Sequence, residues 1–76
     1  MNETLQKKVN KLDPWFDALK DSEGIDIHAV EHHPIFGTVV FWSDERGYTY
    51  SYKSYNGQGT GGACESLVTC VRCIFK

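Results

Sequence analysis

The chain has 76 residues, of which 41% are hydrophobic and 24% charged, and a net charge of −2. That length holds one domain with a small core, and the composition excludes a disordered chain. The charge excludes the basic excess of a general nucleic-acid binder and falls short of an acidic DNA-mimicking surface.

Cys64, Cys70 and Cys73 make an odd cysteine count, which does not match the even disulfide set of a small secreted domain. No apolar run approaches the ~18 residues of a membrane span, and the stretch Met1–Lys8 lacks the apolar segment of a secretion signal. The expected compartment is a reducing cytoplasm, with no membrane association.

Leu5, Val9, Leu12, Phe16 and Leu19 fall at helical spacing. Asp13-Pro14 interrupts the stripe with a start signal, Asp as cap and Pro in the first position. One kinked helix or two near-collinear pieces are therefore expected, ended by Gly24. Ile25, Ile27 and Ala29 alternate with Asp26 and His28, which predicts a strand over 25–33. Pro34 marks a turn, and Thr38–Trp42 is rich in β-branched and aromatic residues, so it should be the central strand.

Asp44-Glu45-Arg46-Gly47 is a turn signature, and Tyr48–Lys53 alternates as a third strand. A bulge at Gly47 would set Asp44 opposite Tyr48 and place Val40 and Trp42 on the face of Tyr48, Tyr50 and Tyr52. A slip of one residue would bring Val39 and Phe41 there instead. The bulged register is the expectation. Gly57–Gly62 then reads as a flexible glycine loop leading into a final helix. In that helix Ala63, Cys64, Leu67, Val68, Val71, Ile74 and Phe75 share an arc of roughly 140°.

The predicted fold is a single α+β domain over 1–76, of order α-β-β-β-α. It has a three-stranded antiparallel meander with both helices on one face. Leu67, Val71 and Ile74 are expected to be buried against the sheet.

Several constellations could carry chemistry. Cys70-x-x-Cys73, with Cys64 and with His28, His32 and His33, suggests zinc. On one helix, however, the three thiols spread around the axis and cannot converge on one metal. Cys64 near a helix start suggests a nucleophile, but its place in the apolar arc implies an inert buried thiol. The glycine loop before a helix could hold an anion, yet no Lys-Ser or Lys-Thr pair follows as a phosphate loop requires. His28 and His32 should share a strand face, with His33 opposite. Neither cofactor, nor metal, nor catalytic residue is expected.

The order helix, strand, strand, strand, helix resembles the double-stranded-RNA-binding domain in outline. That family uses a basic cluster at the start of its last helix, where this chain has Gly61-Gly62-Ala63-Cys64-Glu65-Ser66 without a lysine. No residue role carries over.

The function expected is a small non-enzymatic protein-binding module, an inhibitor or adaptor of a larger complex. Phages and mobile elements direct proteins of this kind against host defence. The third strand is the expected edge for a partner. Thr49, Ser51 and Lys53 would lie on its outer face, with Asp44, Glu45 and Arg46 beside it. The oligomeric state expected is a monomer or weak homodimer. The alternatives are nucleic-acid binding through Lys7, Lys8, Lys11 and Lys20, or a small cysteine-based metal or enzyme site.

Overall fold

Val39, Val40, Phe41 and Trp42 are successive residues of one strand, and all four are buried. Neighbouring side chains on a strand point to opposite faces, so this sheet must be covered on both. The computed structural model describes residues 3–75 and shows the cover. It is a small α+β domain with a four-stranded antiparallel sheet of order β1-β2-β3-β4. The strands are β1 (Asp26–His33), β2 (Gly37–Asp44), β3 (Gly47–Ser54) and β4 (Gly57–Thr60). Helix α1 (Glu3–Asn10), a 3-10 turn (Pro14–Phe16) and α2 (Asp17–Asp21) precede the sheet, and α3 (Leu67–Ile74) follows it.

The N-terminal stripe breaks where Asp13-Pro14 predicts. The Asp13 carboxylate accepts the Trp15 N–H at 2.9 Å, with Pro14 in the first position of the turn. Val9, Leu12 and Phe16 from these segments pack with Ile27, Val40 and Trp42. Cys70 and Ile74 of α3 pack with Val39 and Phe41 instead, flanked by Tyr48, Tyr50 and Tyr52. The helical segments therefore lie on opposite faces of the sheet, which corrects the expectation of both on one face. Both faces of β2 are thus covered.

The register between β2 and β3 is the slipped one. Ser43 pairs with Tyr48, Phe41 with Tyr50 and Val39 with Tyr52, around a two-residue connection, Glu45-Arg46. Val39 and Phe41 thus share the tyrosine face, while Trp42 lies on the other. Gly47 takes the positive φ expected of it, +132°, but it pairs directly with Asp44, so the turn carries no bulge. The Asp44 carboxylate holds the turn by accepting the Arg46 N–H at 2.9 Å.

The predicted glycine loop is a fourth strand. Gly59 pairs with Tyr52, and the Gly61 N–H donates to the Tyr50 carbonyl at 2.9 Å. A Cβ at Gly59 would come within 2.7 Å of the Tyr52 hydroxyl, and one at Gly61 within 2.5 Å of the Tyr50 ring. The alternating glycines give the alternating tyrosine rings room to lie across the next strand. The chain then runs through a bridge in which Cys64 and Tyr48 exchange backbone hydrogen bonds of 2.7 and 3.0 Å. Helix α3 begins at Leu67, capped by the Ser66 hydroxyl on the Thr69 N–H. Ile74 is buried and Leu67 half-buried, but Val71, expected inside, is exposed.

Candidate functional site

β3 is not an edge, because β4 pairs along it. The residues assigned to partner binding therefore separate into two groups. Thr49 and Ser51 are 7% and 3% exposed. Their hydroxyls are engaged inside the sheet: Thr49 Oγ1 donates to the Gly61 carbonyl at 2.8 Å, and Ser51 Oγ accepts from Trp42 Nε1 at 2.9 Å. Ser51 and Thr60 hydroxyls also meet at 3.1 Å. These two residues stitch β3 to its neighbours and present nothing to a partner. Lys53 is half-buried, with Nζ 2.8 Å from the Asp13 carboxylate, so it ties β3 to the N-terminal segment. That hydrogen bond, followed by the one from the Trp15 N–H, holds the Asp13 carboxyl below its ordinary pKa.

Asp44, Glu45 and Arg46 remain together at the sheet's end. Arg46 is 77% exposed and pairs with Asp44 at 3.0 Å. The Arg46 N–H, and then its guanidinium, hold the Asp44 carboxyl below its ordinary pKa. Glu45 is exposed. Beside this turn is a cleft of about 290 Å³, lined by Trp42, Asp44, Arg46 and Thr49 on one side and by Thr60–Ala63 on the other. The charged turn thus stands next to the segment that follows β4.

The outer side of α3 is a feature the sequence reading did not single out. Val68 is 60% exposed, and Val71 and Phe75 are each 36% exposed. At about 100° per residue Val68 and Val71 lie about 60° apart on the helix, while Phe75, the residue after α3, turns its ring toward His33 and Phe41 at 5.0 and 6.1 Å. The sheet covers only the part of the helix around Leu67, Cys70 and Ile74. The signal was present: an apolar arc of roughly 140° exceeds the stripe of about 100° that suffices to bury one side of a surface helix.

The histidines are arranged differently from expectation. β1 carries a bulge between Ile27 and Ala29, which brings His28 to the tyrosine face. There its Nε2 lies 2.7 Å from Ser43 Oγ and its ring 5.3 Å from that of Tyr48. His33 lies on the same face, while His32 pairs with Thr38 on the other. His33 is buried and makes three hydrogen bonds. Its Nδ1 accepts the N–H groups of Ile35 and Phe36 at 3.0 and 3.1 Å, and its Nε2 meets the Ile74 carbonyl at 2.7 Å. Nδ1 must be the bare nitrogen, so the proton sits on Nε2 and is donated to Ile74.

Cys64 precedes α3 rather than opening it, so no helix N-terminus acts on its thiol. It packs beside Cys70. Burial, and then a hydrogen bond that the Cys70 thiol donates to Cys64, push the pKa of Cys70 up to about 12. Cys73 is exposed, and all three thiols are free. Among the described residues, no group of three or more His, Cys, Asp or Glu side chains is placed to hold a metal ion. The glycine stretch is committed to β4, and Ser66 caps the first turn of α3, so the anion loop considered from sequence does not form. The outline likeness to the double-stranded-RNA-binding domain ends at the fourth strand and the opposed helices. No helix among the described residues is long and apolar enough to cross a membrane.

Comparison with protein-family models, curated proteins and solved structures finds no match for this chain.

Proposed function

We propose that this chain is a small protein-binding module that acts on a larger partner by occupying its surface, as an inhibitor or adaptor, and not by catalysis. The observation that supports this reading is the exposed pair Val68 and Val71 on α3. Apolar side chains aligned along a helix and left in water suit a hydrophobic groove on another protein. Asp44, Glu45 and Arg46 supply fixed charges at an exposed turn, which would steer association more than hold it. The binding role considered for Thr49, Ser51 and Lys53 passes to these two surfaces. Three free thiols suit a reducing cytoplasm, and host defence machinery attacked by a phage or mobile element is one class of partner that suits so small a chain.

The test is affinity capture with the purified chain as bait, in parallel with Val68→Asp and Val71→Ser. A protein retained by the wild type and lost with both variants, at unchanged melting temperature, supports the reading. A protein retained equally by all three baits places the interface elsewhere.

A second reading rests on Lys7 and Lys8 of α1 and Lys11 just after it, all exposed, while Lys20 is paired with Asp17 at 2.8 Å. Capture of nucleic acid, lost when Lys7, Lys8 and Lys11 are changed to glutamate, would favour that reading over the first.

A further inference from the structure

The sheet has two outer strands, and they are built differently. β1 carries Asp26 and Glu31, the histidines His28, His32 and His33, and the bulge at His28. Charges and bulges are the devices by which proteins keep an edge strand from pairing with another chain. β4 has none of them. From Ser54 to Cys64 the chain has no charged residue and no proline, and Gly57, Gln58 and Thr60 are exposed.

The hydrogen-bonding pattern fixes which groups β4 offers. The Gly61 N–H is spent on Tyr50, and in an antiparallel pair the inward and outward residues alternate. Gly57, Gly59 and Gly61 therefore turn their backbone groups toward β3. Gln58 and Thr60 turn theirs outward, symmetrically about Gly59. We propose that β4 is a homodimer interface, in which a second copy of this chain adds its own β4 in antiparallel register about Gly59, making one continuous sheet across the twofold axis.

Four features favour a second copy over a foreign strand. A twofold axis brings every residue near it close to its own like, so a charged edge repels itself, and this edge is uncharged. In this register Gln58 faces Thr60 of the second copy, and each pair exchanges both backbone hydrogen bonds, four in all by the antiparallel rule. On the tyrosine face Gly59 meets Gly59 with no side chain between the strands. The same register sets Tyr55, which is 98% exposed, beside Gly62 and Ala63 of the second copy, giving its ring something to cover.

The inference does not depend on the proposed function, and purified protein alone tests it. Sedimentation equilibrium under reducing conditions, from about 10 μM to about 1 mM, covers the range in which small interfaces titrate. The expected result is a mass rising from 8.6 kDa toward its double. In a mixture of isotopically labelled and unlabelled chains, an inter-chain contact between the two Gly59 α-protons is expected, because that pairing is the close, non-hydrogen-bonded kind. Gln58→Pro removes an outward N–H that β3 does not use, so it should shift the association at least tenfold toward monomer while the circular dichroism spectrum stays native. Gln58→Lys with Thr60→Lys sets like charges opposite each other and should do the same. A monomer at about 1 mM, a dimer lacking the Gly59 contact, or a dimer undiminished in both folded variants would each overturn the assignment.

Discussion

The imidazole of His33 donates from Nε2 to the carbonyl oxygen of Ile74 at 2.7 Å, across 41 residues of sequence. The last carbonyls of a helix lack partners within it, and His33 fills one of them. Its other nitrogen holds the Pro34–Phe36 turn through Ile35 and Phe36. One ring thus fastens α3 to the β1–β2 hairpin, with Phe36 and Phe75 packed against it at 4.8 and 5.0 Å.

Replacing it should be costly. His33→Ala leaves three backbone groups short of a partner at a buried position, and about 2 kcal/mol or more of stability should be lost. His32→Ala, at an exposed position one residue away, should fall within about 0.5 kcal/mol of wild type. Urea titrations of the two variants measure the difference, and equal midpoints would show that His33 is not a fastener.

The fit of tyrosine over glycine gives a second expectation. Gly61→Ala forces a methyl group into the Tyr50 ring and should cost about 1–3 kcal/mol. If the clash is the cause, the penalty should shrink in a Tyr50→Ala background, because contacting sites do not add. A thermal-melt double-mutant cycle reads this coupling, and strict additivity would place the cost in the backbone instead.

What could be read from sequence and what could not divide along physical lines. The N-terminal stripe and its break at Asp13-Pro14 were legible because helical periodicity and capping are local. The run Val39–Trp42 identified a central strand. Being apolar on both faces, however, it has no alternation to fix its register against β3. The same run was the unread sign that both faces are covered. The period-two spacing of Gly57, Gly59 and Gly61 matches that of Tyr48, Tyr50 and Tyr52, and this was the available signal for β4. The turn at Asp44–Arg46 stands where the sequence predicts it, with Glu45 and Arg46 exposed and Asp44 half-buried. Thr49 and Ser51 lie inside the sheet and not on its outer edge because the glycine stretch, which reads locally as a loop, forms the strand beside them. Nothing near His33 in sequence announces Ile74.

The thiol of Cys70 makes stability depend on alkaline pH. Its ordinary value is 9.0, and the fold raises it to about 12. The folded state therefore keeps a proton that the unfolded state releases, so stability is full below pH 9 and falls as pH rises from 9 toward 12. From pH 7 to pH 10 the loss should be about 1 kcal/mol. Tyr50, raised mainly by burial, adds a loss of the same sign at higher pH. Cys70→Ala should be less stable at pH 7, because it leaves a cavity, but its stability should change less between pH 7 and 10. Denaturant midpoints at the two pH values test this, and parallel losses in both proteins would exclude Cys70 as the source.

The charged turn allows a test of steering that leaves the fold intact, provided Asp44 is spared. Its carboxylate accepts the Arg46 N–H and is 19% exposed on the side chain, so reversing it would disturb the hairpin as well as the surface. Glu45→Lys combined with Arg46→Glu keeps the net charge and the Asp44 cap on the backbone, and it exchanges the two exposed signs. Fixed charges act on association over about a Debye length, roughly 10 Å at 0.1 M salt. Against a captured protein partner, the double variant should lower the association rate at low salt, and the difference should fade as salt is raised. The dissociation rate should stay close to wild type, because the apolar pair on α3 would hold the complex. An unchanged association rate at low salt, with the melting temperature intact, would remove Asp44–Arg46 from the interface and leave Val68 and Val71 as its apolar centre.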